Sequence, residues 1–362
     1  MTRFRATWVE VDLAAIRHNV GVLTPARAEL MAVVKANAYG HGDVAVARAA
    51  LAAGATGRGV ALVEEGLALR EAGLDAPILV LSECPPGSEA VALAHRLTPT
   101  LASDEGLARL AAVARGAVAV HVKVDTGMHR IGIWPPAEAP AFLGRVAAAG
   151  LEVEGLWSHF ARSEEDEGTT RRQLEGFVEV VDAARRAGIE PRLLHVANSG
   201  AVLRHPETHL DLVRPGIAMY GIAPAPGVGA DRGLRPALTW RSTVTAVRRL
   251  AAGERVSYGH RYVVERDGWV ATVPVGYADG FPRAASPRAE VCVAGRRCRV
   301  AGNVTMDQLM VDCGDVEPTV GDDVELLGGG APDAWELAAA ADTIAYEIVT
   351  RIGSRVPREV VG

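Results

Sequence analysis

Of the 38 basic side chains in this 362-residue chain, two are lysines, Lys35 and Lys123, and the rest are arginine. Lysine differs from arginine in one property that matters for chemistry. Its amine can lose a proton and become a nucleophile, whereas a guanidinium keeps its charge at any ordinary pH. Lys35 lies in "AVVKANAYGHG" (32–42), at the end of an apolar run, and Lys123 in "VAVHVKVDTG" (118–127), in the same kind of position. An amine desolvated there has its pKa pushed down and can form a Schiff base. Two other segments offer anion-binding groups. "ANSG" (197–200) reads as the opening of a short helix with the Ser199 hydroxyl at its start, and "RPGIAMYG" (214–221) carries a glycine-containing turn. A Schiff-base lysine beside a phosphate cradle points to pyridoxal phosphate.

These residues need a scaffold that gathers them. Short β-rich apolar runs recur at 30–35, 59–63, 77–82, 98–101, 118–124, 153–158, 193–197 and 211–214. Most are separated by alanine-rich stretches with helical spacing, such as 43–53, 64–72, 103–115, 137–149 and 171–187. Runs apolar on both faces alternating with amphipathic helices imply a parallel sheet, and eight of them imply a (β/α)8 TIM barrel. In a barrel, functional groups stand at the C-terminal strand ends. Lys35, Lys123, Asp125, His159, Asn198, Ser199 and Arg214 all fall there.

Beyond residue 232 the pattern changes to strands joined by glycine-containing turns, including "ALTWRSTVTAVRRL", "WVATVPVGY" and "AEVCVAGRRCRVAG", with a closing helix near 334–350. The expected class is therefore α/β: an N-terminal barrel over 1–230 that binds the cofactor, and a mainly β domain over 231–362. The Pro/Gly-rich stretch 223–236 is the expected linker. The opening strand, about 5–11, alternates like the C-terminal strands and can pack with them.

Composition narrows the partners. The net charge is −6 and no basic tract occurs, which argues against nucleic acid. The amino terminus, "MTRFRATWVEVD", lacks the apolar core of a signal peptide, and no run is long enough to span a membrane. Cys84, Cys292, Cys298 and Cys313 show no metal-binding spacing and read as free thiols of a cytoplasmic protein, with no metal expected.

Taken together and in order, "AVVKANAYGHG", "HVKVDTGMHRIG", "SHF", "ANSG", "VRPGIAMYG", "VSYGHRY", "VGYADG", "MDQLMVD" and "TIAYEI" resemble the bacterial alanine racemases, from about residue 8 to 358. That resemblance implies a pyridoxal-phosphate-dependent isomerase that interconverts L- and D-alanine by two-base proton transfer and supplies D-alanine for peptidoglycan. It implies a homodimer whose active sites draw on both subunits. Lys35 would hold the cofactor and act as one base; Tyr258, from the partner subunit, would be the other. Two bases on opposite faces allow a proton to leave one side of a planar carbon and return on the other.

His159 would support Tyr258, hydrogen-bonded onward to Arg214, and Arg214 would face the pyridine nitrogen. Tyr39, Asn198, Ser199, Gly216, Ile217 and Tyr346 match cofactor-binding positions. Arg130, Met306, Asp307 and Tyr277 match substrate-side positions, and Lys123 matches a lysine that carries a carbamate in many members. Thr305, where cysteine is common, Pro215, His129 and the acidic loop 161–168 depart from the pattern. A racemase of serine or another amino acid, or a decarboxylase of the same architecture, is the alternative. A non-catalytic pyridoxal-phosphate carrier fits less well, because such carriers resemble the barrel alone.

Overall fold

Short strands apolar on both faces cannot be left with a solvated side, so they assemble into a parallel sheet with helices packed outside. The computed structural model describes residues 5–362. It forms two compact units. One comprises Ala15–Ala38 and Asp43–Arg235; the other comprises the described residues up to Ala14, Tyr39–Gly42 and Pro236–Gly362.

After β1 (Thr7–Asp12), which belongs to the second unit, the first unit carries β2 (Glu29–Val33), β3 (Gly57–Val60), β4 (Ile78–Glu83), β5 (Thr98–Leu101), β6 (Val118–Lys123), β7 (Leu151–Trp157), β8 (Leu193–His195) and β9 (Leu212–Val213). These eight strands form one parallel sheet in the order β8-β7-β6-β5-β4-β3-β2-β9. The seam between β8 and β9 is closed by single hydrogen bonds: Asp211 N to Leu194 O at 3.1 Å and Arg214 N to Ala197 O at 3.0 Å. Met31, Leu79, Leu193 and Leu212 fill part of the interior. Helices α1 (Leu13–Leu23), α2 (Asp43–Ala52), α3 (Val63–Glu71), α4 (Glu89–Ala94), α5 (Asp104–Val113), α6 (Ala139–Ala148), α7 (Glu167–Arg186) and α8 (Ser199–Arg204) connect the strands. The strand order is that of a nearly closed (β/α)8 barrel.

The second unit is mainly β. β1 pairs antiparallel with β10 (Leu238–Thr243) and parallel with β19 (Arg358–Val361). With β11 (Ala246–Leu250), β14 (Gly268–Val273), β15 (Glu290–Val293), β16 (Arg296–Val300), β17 (Leu309–Gly314) and β18 (Asp323–Leu327) they make a nine-stranded sheet. A separate ribbon pairs β12 (Arg255–Val256) with β13 (Tyr262–Val263). The expected closing helix is two helices, α9 (Ala334–Ala341) and α10 (Ala345–Thr350), because Asp342 turns left-handed at φ 55° and ends the first. Trp240, fully buried, packs 6.1 Å from Phe281 at the heart of this unit. No helix among the described residues is long and apolar enough to cross a membrane.

One glycine shows how tightly the barrel interior is filled. A Cβ on Gly155 of β7 would lie 2.3 Å from the buried His121 Nδ1. Gly155→Ala should therefore destabilise the fold by about 1–3 kcal/mol through overpacking. Gly144→Ala, on exposed helix surface with open space around it, should stabilise it by up to about 1 kcal/mol. Chemical denaturation of the two variants checks the pair.

Candidate functional site

The parallel sheet delivers the expected polar residues to one end of the barrel. Lys123 is the last residue of β6, His159 stands two residues beyond β7, and Arg214 follows β9 directly. Lys35 lies two residues beyond β2, because the backbone first makes one more barrel bond, Val34 N to Gly59 O at 2.9 Å. It then enters an unusual turn. Ala36 (φ 53°, ψ 52°), Asn37 (φ 52°, ψ 47°), Ala38 (φ 52°, ψ 53°) and Tyr39 (φ 53°) are all left-handed before Gly40 at φ 83°. Left-handed backbone costs about 1–2 kcal/mol per non-glycine residue. Strain of this kind persists where surrounding contacts enforce it, and it concentrates at functional positions.

Arg214 is buried, and both of its terminal nitrogens are engaged. Nη1 donates to His195 Nδ1 at 2.7 Å; Nη2 donates to the carbonyl oxygens of Ser158 (2.8 Å) and Val196 (3.3 Å) and approaches His159 Nδ1 at 3.4 Å. Burial lowers its pKa to about 9. The His159 ring is held well below its ordinary range by burial and then by Arg214, so it is neutral.

Behind Arg214 runs a polar chain through the barrel interior that sequence reading did not single out. His195 accepts from Arg214 at Nδ1, so its proton sits on Nε2, which faces His121 Nδ1 at 2.8 Å. His121 then carries its proton on Nε2, 3.8 Å from Glu154 Oε2. Glu154 is lowered to about 2 by His121 first, with help from Arg192 at 2.9 Å. The available signal was the alternation in "VHVK": His121 and Lys123 share the inward face of β6, two residues apart.

Trp157, also not anticipated, floors the site. The Arg214 guanidinium carbon lies 4.7 Å and Lys123 Nζ 4.6 Å from its ring centre, and His195 stacks on it at 5.6 Å. Burial, then Arg130 and Arg214, depress Lys123 to about 7. Lys35 is lowered by burial and by Arg130, with Glu65 acting in the opposite sense. Asp125, set against that cluster, accepts backbone N–H bonds from Gly127, Met128, His129 and Arg130, which outweigh burial and keep it below the usual carboxylate range.

Ser199 Oγ accepts from Gly216 N (2.9 Å) and Ala218 N (3.2 Å), which leaves its hydroxyl proton to donate elsewhere. Ile217 follows Gly216 as the first residue of a 3-10 turn. Asn198 caps α8, with its Oδ1 accepting from Ala201 N and Ser163 Oγ. The donor set suits pyridoxal phosphate: an amine that sheds its proton readily, an oriented hydroxyl beside a glycine turn, and a buried guanidinium with no carboxylate among its hydrogen-bond partners. No cluster of three or more metal-binding side chains occurs among the described residues.

The remaining expected residues lie in the second unit. Tyr39 and Tyr346 have ring centres 6.3 Å apart. Tyr258, Tyr277, Thr305, Met306 and Asp307 border one open cleft of about 730 Å3. Tyr258, 76 % exposed, sits in the turn between β12 and β13, and Asn303 Nδ2 donates to its carbonyl oxygen at 2.7 Å. The loop bearing Tyr277 is tied to the loop bearing Met306 by Tyr277 N to Thr305 O and Ala278 N to Met306 O, each at 3.0 Å. Beneath them the buried Asp279 carboxylate binds Gly276 N and Arg5, and Arg355 bridges toward Asp307 at 2.8 Å.

Family models for the alanine racemase N-terminal and C-terminal domains match residues 11–224 and 237–360. The chain belongs to the alanine racemase family. An alanine racemase of Symbiobacterium thermophilum is 49 % identical, over 98 % of this chain and 97 % of that protein. The crystal structure of alanine racemase from D-cycloserine-producing Streptomyces lavendulae has a TM-score of 0.95 at 43 % identity, covering all of this chain and 98 % of that one. The crystal structure of the Bacillus anthracis alanine racemase with bound L-Ala-P has a TM-score of 0.93 at 38 % identity, covering all of this chain and 96 % of that one.

Having only two lysines makes the electrostatics of this alanine racemase family member directly measurable. Protein labelled with 13C-lysine should give two side-chain signals, and the Lys35→Ala chain assigns them. In protein stripped of cofactor and kept free of carbon dioxide, the Lys123 signal should titrate near pH 7, its ammonium losing its proton far below the ordinary lysine range. A Lys123 midpoint near 10 would contradict the desolvated site.

Proposed function

We infer that the chain interconverts L- and D-alanine in the cytoplasm, as a homodimer, with pyridoxal phosphate held by Lys35. The carrying observation is the barrel mouth itself, where a lysine with a lowered pKa stands among Arg130, Lys123, His159 and Arg214. The chemistry that pyridoxal phosphate supplies when bound is electron withdrawal, which acidifies the substrate α-proton.

Ser199, Tyr39, Tyr346 and the backbone around Gly216 and Ile217 would bind the phosphate, with Asn198 fixing the helix that presents Ser199. Arg214 would donate to the pyridine nitrogen. A guanidinium gives up its proton far less readily than a carboxylic acid, so Arg214 would leave that nitrogen largely unprotonated and keep its electron withdrawal moderate, which would favour racemisation over side reactions. An arginine rather than a carboxylate at that nitrogen would also argue against a decarboxylase, which profits from a protonated ring.

Lys35 would move the α-proton on one face and Tyr258 of the partner subunit on the other. The exposure of Tyr258 supports that assignment, since a tyrosine open to solvent in its own subunit is available to a second barrel. His159, neutral and carrying its proton opposite Arg214, would hydrogen-bond the phenol oxygen and stabilise it when it gives up its proton. Arg130 would hold the substrate carboxylate, and Met306, Asp307 and Tyr277 would border the entry.

Lys123 would carry a carbamate. Its uncharged amine, present near pH 7, attacks carbon dioxide and loses a proton, leaving an anion beside Arg130. The product would serve peptidoglycan synthesis.

Complementation between inactive chains tests the shared site. Lys35→Ala and Tyr258→Ala proteins should each be inactive. After verified subunit exchange, about half of the dimers are mixed and each holds one intact site, so activity should return to roughly a quarter of wild type. A mixture as inactive as its components would place both bases in one chain.

A further inference from the structure

The strained turn after Lys35 has a charged tether that the roles above leave unused. Glu65, in the first turn of α3, sends Oε1 to Ala36 N at 2.7 Å and Oε2 to Ala61 N at 2.7 Å and Leu62 N at 3.2 Å. The contacts with Ala61 and Leu62 are those of a residue folding back over its own helix start. The contact with Ala36 is different in kind. It crosses to the loop after another strand, 29 residues earlier, and seizes the first peptide N–H of the left-handed turn. Neutral groups also tie that turn: Val34 O accepts from Ala38 N at 2.8 Å, Asn37 Oδ1 accepts from Asp43 N at 3.1 Å, and the His41 ring meets Tyr39 O at 2.9 Å.

We propose that Glu65 is a positioning residue for Lys35: its carboxylate clamps the left-handed turn against the loop after β3 and fixes a negative charge beside the lysine amine. The proposal rests on Lys35 being the reactive lysine. A side chain of one residue thus meets two needs. Ala36 and Asn37 are exposed while Ala38 and Tyr39 are buried, so the first half of the turn has little packing to enforce its backbone, and a charge-assisted bond is stronger than a neutral one. The Lys35 amine also feels the cations Arg130, Lys123 and His159 when charged, from β6 and the loops after β6 and β7. Glu65 is the anion among its neighbours. It opposes burial and Arg130, keeping the amine able to take up a proton as well as release one, which a group alternating between acid and base requires.

Two variants separate the geometric and electrostatic parts. Glu65→Gln keeps the length and an acceptor oxygen but removes the charge. Glu65→Asp keeps the charge but is one methylene too short to span Ala36 and Ala61 together. In the full-length, cofactor-stripped chain labelled with 13C-lysine, Glu65→Gln should move the Lys35 midpoint to lower pH, whereas Glu65→Asp should leave it near the wild-type value. In the loaded enzyme both should lower kcat for alanine by roughly 10-fold or more with little change in KM, since small displacements of a reacting group carry penalties of that order. Backbone amide exchange of the wild-type chain should find the Ala36 N–H protected beside its exposed neighbour Asn37.

An unmoved Lys35 midpoint in Glu65→Gln with wild-type kcat, or an unprotected Ala36 amide, would reduce Glu65 to a helix cap and overturn the proposal. The lysine titration and amide exchange do not depend on turnover. A wild-type chain that fails to racemise alanine would therefore refute the function while leaving the Glu65–Lys35 link separately decided.

Discussion

Arg214 carries a guanidinium into the barrel interior where its partners are carbonyl oxygens, imidazole rings and an indole face rather than a carboxylate. Burying a charge without an opposite charge is costly unless hydrogen bonds compensate it. That requirement organises everything around it. His195 must be neutral and accept at Nδ1, which fixes its tautomer and, one bond further, that of His121. His121 in turn needs room, which Gly155 supplies by having no Cβ. The same positive field lowers Lys123 and His159 after burial has acted on both. A carboxylate placed against Arg214 would relax all of these demands, and with them the readiness of a nearby lysine to lose its proton.

The opposite face of the problem is the placement of Lys35. A lysine on a long flexible stem is a poor base unless its backbone is held. Here the chain leaves β2 through consecutive left-handed residues, a conformation that Asn37 tolerates but that no local preference of Ala36, Ala38 or Tyr39 favours. Such a turn exists because hydrogen bonds from separate elements converge on it. The barrel mouth thus joins two kinds of stored cost, an unpaired buried charge and a strained turn, each compensated by neighbours recruited from several strands.

In the second unit the same economy of buried charge holds loops rather than a cation. Asp279, fully buried, gathers Gly276 N and Arg5, while Arg355 reaches across to Asp307. Gly276 is required where the backbone carbonyls of Thr305 and Met306 approach within 2.3 Å of where its Cβ would stand. The Tyr277 and Met306 loops are consequently one rigid edge of the cleft that Tyr258 also borders.

The eight apolar runs, the change of pattern after residue 232, and the two lysines at strand ends were all legible in the amino-acid sequence, because period and composition report local burial and because a lysine is chemically singular in an arginine-rich chain. Lys35, Lys123, His159, Ser199 and Arg214 were legible for the same reason: polar residues ending apolar strands must converge in a closed parallel sheet. His121, His195, Glu154, Trp157 and Glu65 were not. Each looks ordinary in its own segment and gains meaning only from partners far away in sequence. The left-handed turn was equally hidden, since alanine and tyrosine do not announce such dihedrals and a lone asparagine signals one residue rather than four. Sequence determined which groups reach the barrel mouth, since local pattern sets the strands. Tertiary structure alone decided their tautomers, their charges and the strain behind Lys35, since those depend on burial and on hydrogen bonds between distant elements.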